Sequence, residues 1–92
     1  MMTKNQSDEY SSEDLDVIIS MIKSVSAKAG QVAMSPETSL LDELELDSLD
    51  LVRVIMLIED RYHVAIDLDE VPKIRQVRDL ALTLARQSRS AA

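Results

Sequence analysis

The chain has no cysteine, tryptophan or phenylalanine, and only one glycine and two prolines among its 92 residues. Without cysteine, a disulfide framework, a cysteine zinc cluster and a thiol nucleophile are all excluded. With two tyrosines as the only aromatic residues, the core must be aliphatic, and the lack of alternating β-branched residues and turn pairs favours helices over strands. The length allows one small domain, too short for a deep enzymatic cleft beside its own core.

Long apolar runs are missing as well. The longest uninterrupted run, Val54 to Ile58, is far too short to cross a bilayer, so we expect no membrane span. The first ten residues are polar, so we expect no signal peptide and a cytoplasmic protein. We predict a disordered tail over residues 1–10, a folded domain over 11–87 and a second disordered tail over 88–92.

The net charge of -7 is unevenly distributed along the chain. The segment from Glu37 to Glu70 holds eleven acidic residues against Arg53 and Arg61, a local balance of -9, which leaves +2 for the rest. Such a segment repels phosphate backbones and attracts basic protein surfaces, so we expect protein partners and no nucleic acid. The simpler interpretation, that acidic surfaces only keep small domains soluble, stays open at this point.

The apolar pattern predicts an all-α four-helix bundle with three longer helices and one short helix. Ser11 or Ser12 can cap the first helix, which should end near residues 28–30, and the fourth helix should start at about Gln76. The short third helix should lie within residues 68–74, capped by Asp67 or Asp69, with Pro72 in its first turn. The apolar stripes of the first and fourth helices recur at helical spacing: Leu15, Ile18, Ile19, Ile22 and Val25, then Val77, Leu80, Ala81 and Leu84.

The segment over residues 31–47 is too apolar for a free linker, because it contains Leu40, Leu44 and Leu46 among other apolar residues. We predict a long loop that packs onto the helices, with a short turn at Pro36-Glu37-Thr38.

The second predicted helix runs from Asp47 or Ser48 to about Arg61, and eight of its residues from 49 to 58 are apolar. They cannot all point one way at the helical period. The predicted core face comprises Leu51, Val54, Ile55, Ile58 and Tyr62; a second stripe comprises Leu49, Val52 and Met56. Either the loop leucines cover this second stripe, or it is an exposed strip for partner contacts bordered by Asp50, Glu59 and Asp60.

The tetrapeptide Asp47-Ser48-Leu49-Asp50 lies where the loop gives way to this helix. A serine at a helix start is reachable, and the unpaired backbone N–H groups there can accommodate a negative phosphodiester formed on its hydroxyl. Serine is also common at helix starts merely because it caps them. The order of elements around the motif decides between the two interpretations: a helix and a long leucine-containing loop before it, then a doubly apolar helix, a short acidic segment and a final amphipathic helix.

With this order of elements, the chain resembles the acyl carrier protein family, also called peptidyl carrier or thiolation domains, from about Leu15 to Leu84. The resemblance implies a carrier rather than an enzyme, with a 4'-phosphopantetheine arm on Ser48 that holds acyl or aminoacyl groups as thioesters. It implies that Asp47 helps to hold magnesium and the cofactor during transfer of the arm. It also implies that Leu49, Asp50, Val52, Met56, Glu59 and Asp60 contact partner proteins, and we predict that Arg53 on the same helix is a partner contact too.

The implied partners are a phosphopantetheinyl transferase, an acyl- or aminoacyl-loading enzyme, and ketosynthase, condensation or transferase enzymes. We expect a monomer. Several positions depart from the family pattern. Glu45-Leu46 replaces a common glycine, Arg53 stands where an acidic contact is usual, Asp67 replaces a frequent proline, and Arg75-Gln76 replaces a threonine cap. These changes favour a dedicated carrier of a polyketide, nonribosomal peptide or modified-lipid pathway over the housekeeping carrier of fatty acid synthesis.

Two other classes of function compete with the carrier. A helical adaptor with the same fold would bind a partner through the second helix without an arm. An autonomous enzyme is disfavoured, because the chain shows no Ser/His/Asp set or phosphate loop, and His63 stands without a second base. We predict no metal site, since Asp67, Asp69 and Glu70 lack the spacing and turn glycine of a calcium loop.

Overall fold

The computed structural model describes the backbone of residues 10–91 and the side chains as far as residue 87. Its helices are Ser12–Val25 (α1), Ser48–Tyr62 (α2) and Val77–Ala91 (α3), with 3₁₀ segments at Ala29–Gln31 and Leu68–Lys73. No β-strand forms in this part of the chain; an isolated bridge pairs Ser39 with Gln76. The predicted all-α bundle with three longer helices and one short one is confirmed, the short one being the 3₁₀ helix Leu68–Lys73.

Helix α1 begins where the sequence predicts and ends earlier. Ser11 is the N-cap, with its Oγ accepting a hydrogen bond from the Asp14 N–H at 3.0 Å. The predicted end near residues 28–30 is wrong, because Ser26 adopts extended backbone angles. Its hydroxyl accepts the Ala29 N–H at 3.3 Å, and such local side-chain bonding competes with helix continuation.

The two chain ends differ from the predicted tails where the structure describes them. Tyr10, assigned to the N-terminal tail, packs partly buried against the core. The backbone of α3 continues to Ala91, beyond the predicted domain end at 87. Residues 1–9 and Ala92 lie outside the described residues, so the predicted tails stay predictions there.

An aliphatic core joins all three α-helices, with α1 contacting both α2 and α3. The predicted stripe of α3 is fully buried; in α1 and α2 the outer stripe members Leu15, Ile19, Val25, Leu51 and Tyr62 are only half-buried and pack at the rim. The core consists of buried Ile18, Ile22, Ala29, Leu40, Leu44, Leu46, Val54, Ile55, Ile58, Ile66, Ile74, Val77, Leu80, Ala81 and Leu84. No helix of the described part is long and apolar enough to cross a bilayer.

The loop between α1 and α2 packs down as predicted. Its turn at residues 36–37 is closed by Thr38, whose N–H donates to the Ser35 carbonyl at 3.1 Å and whose Oγ1 accepts the Ser35 N–H at 2.8 Å. The loop then pairs with the start of α3, since the Leu40 N–H donates to the Arg75 carbonyl at 2.9 Å. These bonds hold the loop beside the beginnings of both α2 and α3.

The 3₁₀ helix Leu68–Lys73 begins at the N-cap Asp67, whose carboxylate accepts the Asp69 N–H at 2.9 Å. Pro72 is its fifth residue, so the predicted placement in the first turn is wrong. A six-residue 3₁₀ segment tolerates it because the missing N–H removes only one i→i+3 bond.

Helix α3 begins at Val77, directly after Arg75-Gln76, so no threonine is present to cap it. Asp79, at the third helical position, accepts hydrogen bonds from the Arg75 and Gln76 N–H groups, both at 2.9 Å. This is the reverse half of a capping box. An acidic residue three positions after the cap was the sequence signal for it.

Candidate functional site

Ser48 is the first residue of α2 and does not cap it. The cap is supplied by Asp47, whose Oδ1 accepts the Asp50 N–H at 2.9 Å. Ser48 is exposed, and its Oγ forms no hydrogen bond to other described residues. Because Asp47 already performs the capping role, the explanation of Ser48 as a mere cap is wrong.

The backbone around Ser48 favours an anion on that hydroxyl. The first N–H groups of a helix have no intrahelical partner and carry the positive end of the helix dipole. At α2, Asp47 engages the Asp50 N–H, which leaves the N–H groups of Ser48 and Leu49 directed out of the helix. A phosphodiester on Ser48 would lie against this positive end.

The loop that delivers Ser48 is anchored immediately before it. Leu44 and Leu46 are buried, and Glu45 between them adopts φ 57°, in the left-handed region that glycine occupies most readily. The Lys28 Nζ donates to Glu45 Oε2 at 3.0 Å, tying the loop to the segment after α1. Glu45 therefore takes a glycine-like conformation in the stretch where the family's usual glycine is missing.

A cavity of about 760 Å³ opens beside Ser48, between the loop, α2 and the junction of the 3₁₀ helix with α3. Its lining is mainly apolar. The lining residues are Ser39, Leu40, Leu41, Asp42, Leu46, Asp47, Ser48, Leu51, Val71, Pro72, Ile74 and Arg75. A flexible arm on Ser48 therefore has an apolar surface within immediate reach.

The second apolar stripe of α2 is open to solvent. Leu49 and Met56 are each 59% exposed, while Val52 is half-buried. The alternative of full coverage by the loop leucines is wrong, because Leu40, Leu44 and Leu46 are buried in the core instead. We call the surface of Leu49, Val52 and Met56 the α2 strip.

Leu57 is 40% exposed, although it belongs to neither predicted stripe of α2. It lies one turn after Arg53. A shallow cavity of about 470 Å³ between α1 and α2 is lined by Leu57 and Arg53 together with Val25 and Met56. Two further leucines, Leu41 and Leu68, are 67% and 71% exposed. Helical periodicity could not identify these two, since both lie outside the α-helices.

The charged border of the strip is less uniform than the sequence suggests. Asp60 is exposed and Asp50 half-buried. Glu59 Oε2 accepts the Ile66 N–H at 2.8 Å, so this carboxylate also holds the segment after α2. Arg53 is exposed, and no carboxylate of the described residues lies within 4.0 Å of its guanidinium.

The remaining candidates have structural roles. His63 is exposed and ends α2 in the left-handed conformation, with φ 57°. Asp67 starts the 3₁₀ helix, and within the described residues no three His, Asp or Glu side chains cluster to hold a metal ion.

This arrangement defines a class of protein, a small helical bundle that presents an exposed serine hydroxyl at the start of a partly exposed helix and beside a mainly apolar cavity. A family model described as the phosphopantetheine attachment site matches residues 16–84. The chain is 32% identical over 77 residues to an acyl carrier protein of Syntrophobacter fumaroxidans, covering 78% of this chain and 95% of that protein.

Other similar proteins carry the same family name. An acyl carrier protein of Helicobacter hepaticus is 32% identical over 60 residues, covering 65% of this chain and 76% of that protein. One of Nitratidesulfovibrio vulgaris is 44% identical over 46 residues, covering 50% and 60%. The chain therefore belongs to the acyl carrier protein family. It is a carrier rather than a catalyst, and its cofactor is a covalently attached 4'-phosphopantetheine.

Proposed function

We propose that this acyl carrier protein bears its 4'-phosphopantetheine arm on Ser48 and carries acyl or aminoacyl groups as thioesters among the enzymes of a specialised pathway. The observation that supports Ser48 as the attachment residue is that a different residue, Asp47, caps α2. Asp47 caps the helix, which leaves the exposed Ser48 hydroxyl without a partner in the described part of the chain.

Asp47 also fits its proposed role beside the arm. Only Oδ1 is engaged by the Asp50 N–H; Oδ2 has no hydrogen-bond partner among residues 10–91. A free, exposed carboxylate oxygen next to the modified serine is a suitable ligand for magnesium while the arm is transferred. The other nearby serines fit less well, because Ser39 Oγ accepts the Asp42 N–H and Ser35 Oγ pairs with Thr38 Oγ1.

The proposed partner surface is the α2 strip with its charged border of Asp50, Glu59 and Asp60. Tethering raises the concentration of cargo at each partner, so each docking contact can stay weak enough to release. The exposed apolar strip supplies contact area, and the acidic residues steer basic partners toward it. The proposed partners are a phosphopantetheinyl transferase, a loading enzyme, and ketosynthase, condensation or transferase enzymes.

The proposal of a specialised pathway is supported by Arg53, which departs from the family pattern on this same surface. Arg53 is exposed on α2 beside an otherwise acidic border, and it has no ion pair with any described residue. A partner evolved for a wholly acidic helix would meet a repulsive charge there, which selects against it. A polyketide, nonribosomal peptide or modified-lipid pathway fits this chain better than general fatty acid synthesis.

Intact-protein mass spectrometry tests the attachment site. After incubation with coenzyme A, magnesium and a broad-specificity phosphopantetheinyl transferase, wild type should gain one phosphopantetheine and Ser48→Ala none. Ser48→Ala should fold normally, since Asp47 and not Ser48 caps α2. Ser39→Ala is the matched control and should be modified like wild type.

The competing function, a helical adaptor without an arm, is separated by the same experiment. The exposed α2 strip would serve an adaptor as well as a carrier. An unmodified wild-type chain, under conditions that arm a control carrier, would favour the adaptor. Modification that persists in Ser48→Ala would move the attachment site elsewhere.

A further inference from the structure

Arg75 lines the cavity beside Ser48 and is placed there by its backbone. Its N–H donates to Asp79 Oδ2 at 2.9 Å, and its carbonyl accepts the Leu40 N–H at 2.9 Å. Bonds on both sides of one residue fix its Cα between the loop and α3. The side chain is left exposed, with no carboxylate of the described residues within 4.0 Å of its guanidinium.

Arg75 is the one cation among the residues that line this cavity; Asp42 and Asp47 are the two anions. The neighbouring basic residues are already engaged. Lys73 Nζ lies 3.7 Å from Glu70 Oε2, and Arg86 Nη2 lies 3.5 Å from Glu70 Oε1. The Arg78 Nε donates a hydrogen bond to Gln76 Oε1 at 3.0 Å. Among the described residues, Arg75 is therefore the basic group without an ion pair beside this cavity, and it lines the same cavity as Ser48.

We propose that Arg75 makes this cavity a binding site for an anionic group of the armed carrier. The inference rests on the attachment of the arm at Ser48. Two groups of the armed protein share the required chemistry: the phosphodiester on Ser48 and the free carboxylate of a dicarboxylic cargo. A guanidinium pairs with either through two parallel hydrogen bonds.

The surroundings strengthen such a pair. Leu46, Leu51, Val71 and Ile74 form much of the wall, and an apolar wall weakens the solvent screening of a charge pair beside it. Asp42 and Asp47 repel an anion in the same cavity. Arg75 offsets this repulsion, so its removal should be felt more in the armed protein than in the unarmed one.

The test compares wild type, Arg75→Gln and the control Arg78→Gln, an exposed neighbour that does not line the cavity. Each is prepared unarmed, with the bare arm, and with a butyryl- or succinyl-phosphopantetheine arm. The transferase moves each loaded arm to Ser48 from the corresponding acyl-coenzyme A, with release of adenosine 3',5'-bisphosphate. Mass spectrometry confirms each form, and thermal unfolding at low and high salt gives its melting temperature.

If the phosphodiester is the ligand, the bare arm should raise the melting temperature of wild type and Arg78→Gln by on the order of 4 °C, and this rise should be lost in Arg75→Gln. If a cargo carboxylate is the ligand, the succinyl form should melt above the butyryl form in wild type, and Arg75→Gln should abolish that difference. Either rise should shrink at high salt.

Equal shifts in wild type and Arg75→Gln, or no shift in wild type on arming or loading, overturn the assignment of Arg75. This failure is distinguishable from failure of the proposed function. A wild-type chain that gains no mass removes the attachment at Ser48 and with it this inference, whereas normal mass gain with unchanged melting temperatures removes the role of Arg75 alone.

Discussion

Glu45 shows how a residue can adopt a conformation that its side chain disfavours. Its φ of 57° costs a residue with a Cβ atom on the order of 1 kcal/mol relative to ordinary angles. The neighbours Leu44 and Leu46 are both buried, and their burial stabilises far more than this strain costs. The path of the chain into Ser48 is therefore set by the flanking leucines.

We predict that Glu45→Gly leaves the free energy of unfolding unchanged or raises it by up to about 1 kcal/mol, because glycine adopts this φ without strain. The lost bridge to Lys28 joins side chains that are 52% and 64% exposed, so its contribution is small. Urea denaturation measures the change, with Lys28→Met as the control for the bridge alone.

Glu45→Val, which adds a β-branched side chain at the same angle, should lower the free energy of unfolding by more than about 1 kcal/mol. Equal stability of the glycine and valine variants would contradict the assigned backbone conformation.

Tyr62 links the end of α2 to the start of α1. Its hydroxyl donates to Asp14 Oδ1 at 3.0 Å. Burial of the ring raises the pKa of Tyr62 above its ordinary value of 10.0; the hydrogen bond to Asp14 and the negative charge of that carboxylate raise it further. The protonated phenol is thus the form that the folded state favours.

This pKa shift predicts the pH dependence of stability. A group with a raised pKa in the folded state contributes stability that is fully present below its unfolded pKa and is lost as the pH rises through the folded pKa. Wild type should therefore lose stability above about pH 10 more steeply than Tyr62→Phe, which cannot ionise there. Urea denaturation across pH 8 to 11 measures both slopes. Parallel slopes would contradict the raised pKa of Tyr62 in the folded state.

Helix α2 is the element in which structure and proposed function meet. One face places Val54, Ile55 and Ile58 in the core, while the α2 strip faces outward. Helix α2 therefore gains most of its stability from the face that is fully buried. The other face is available for partners, at the cost of exposed apolar surface.

We predict that Met56→Ala changes the free energy of unfolding by less than about 0.5 kcal/mol, because the side chain is 59% exposed, but slows arming by the transferase. Val52→Ala should slow arming too, with a larger stability cost, since Val52 is half-buried. Denaturation and single-turnover arming rates per folded molecule provide the two measurements. An unfolded Met56→Ala protein with normal arming per folded molecule would place this side chain in the core.

The whole molecule depends on a small aliphatic core shared by the three α-helices and the loop. Ile58 and Leu80 are completely buried, whereas Ile19, which the same periodicity places in the core, is half-buried. Stability should therefore be concentrated in fewer residues than the apolar stripes contain.

We predict that Ile58→Ala and Leu80→Ala each lower the free energy of unfolding by about 2 to 4 kcal/mol, because each leaves a cavity in a closed core. Ile19→Ala should cost clearly less, since solvent already reaches that side chain. For so small a domain the larger losses approach its total stability. Chemical denaturation of the three variants provides the comparison, and equal midpoints would mean that the buried and rim positions are wrongly assigned.

Helix positions, the core stripe of α3 and the placement of Ser48 at a helix start could be predicted from the sequence, because capping and helical periodicity are local properties. Local signals failed where a side chain competes with the backbone, as at Ser26. They also could not choose between a covered and an open α2 strip.

That choice needed the tertiary structure, because burial is decided by residues distant in sequence. The loop leucines could have packed on either face of α2, and only the folded chain shows them in the core, with Leu49 and Met56 left exposed. The cavity shared by Ser48 and Arg75 has the same origin. Ser48 and Arg75 are 27 positions apart in the sequence and line one cavity. They come together because two hydrogen bonds hold the loop to the start of α3: the Leu40 N–H donates to the Arg75 carbonyl, and the Val77 N–H donates to the Thr38 carbonyl.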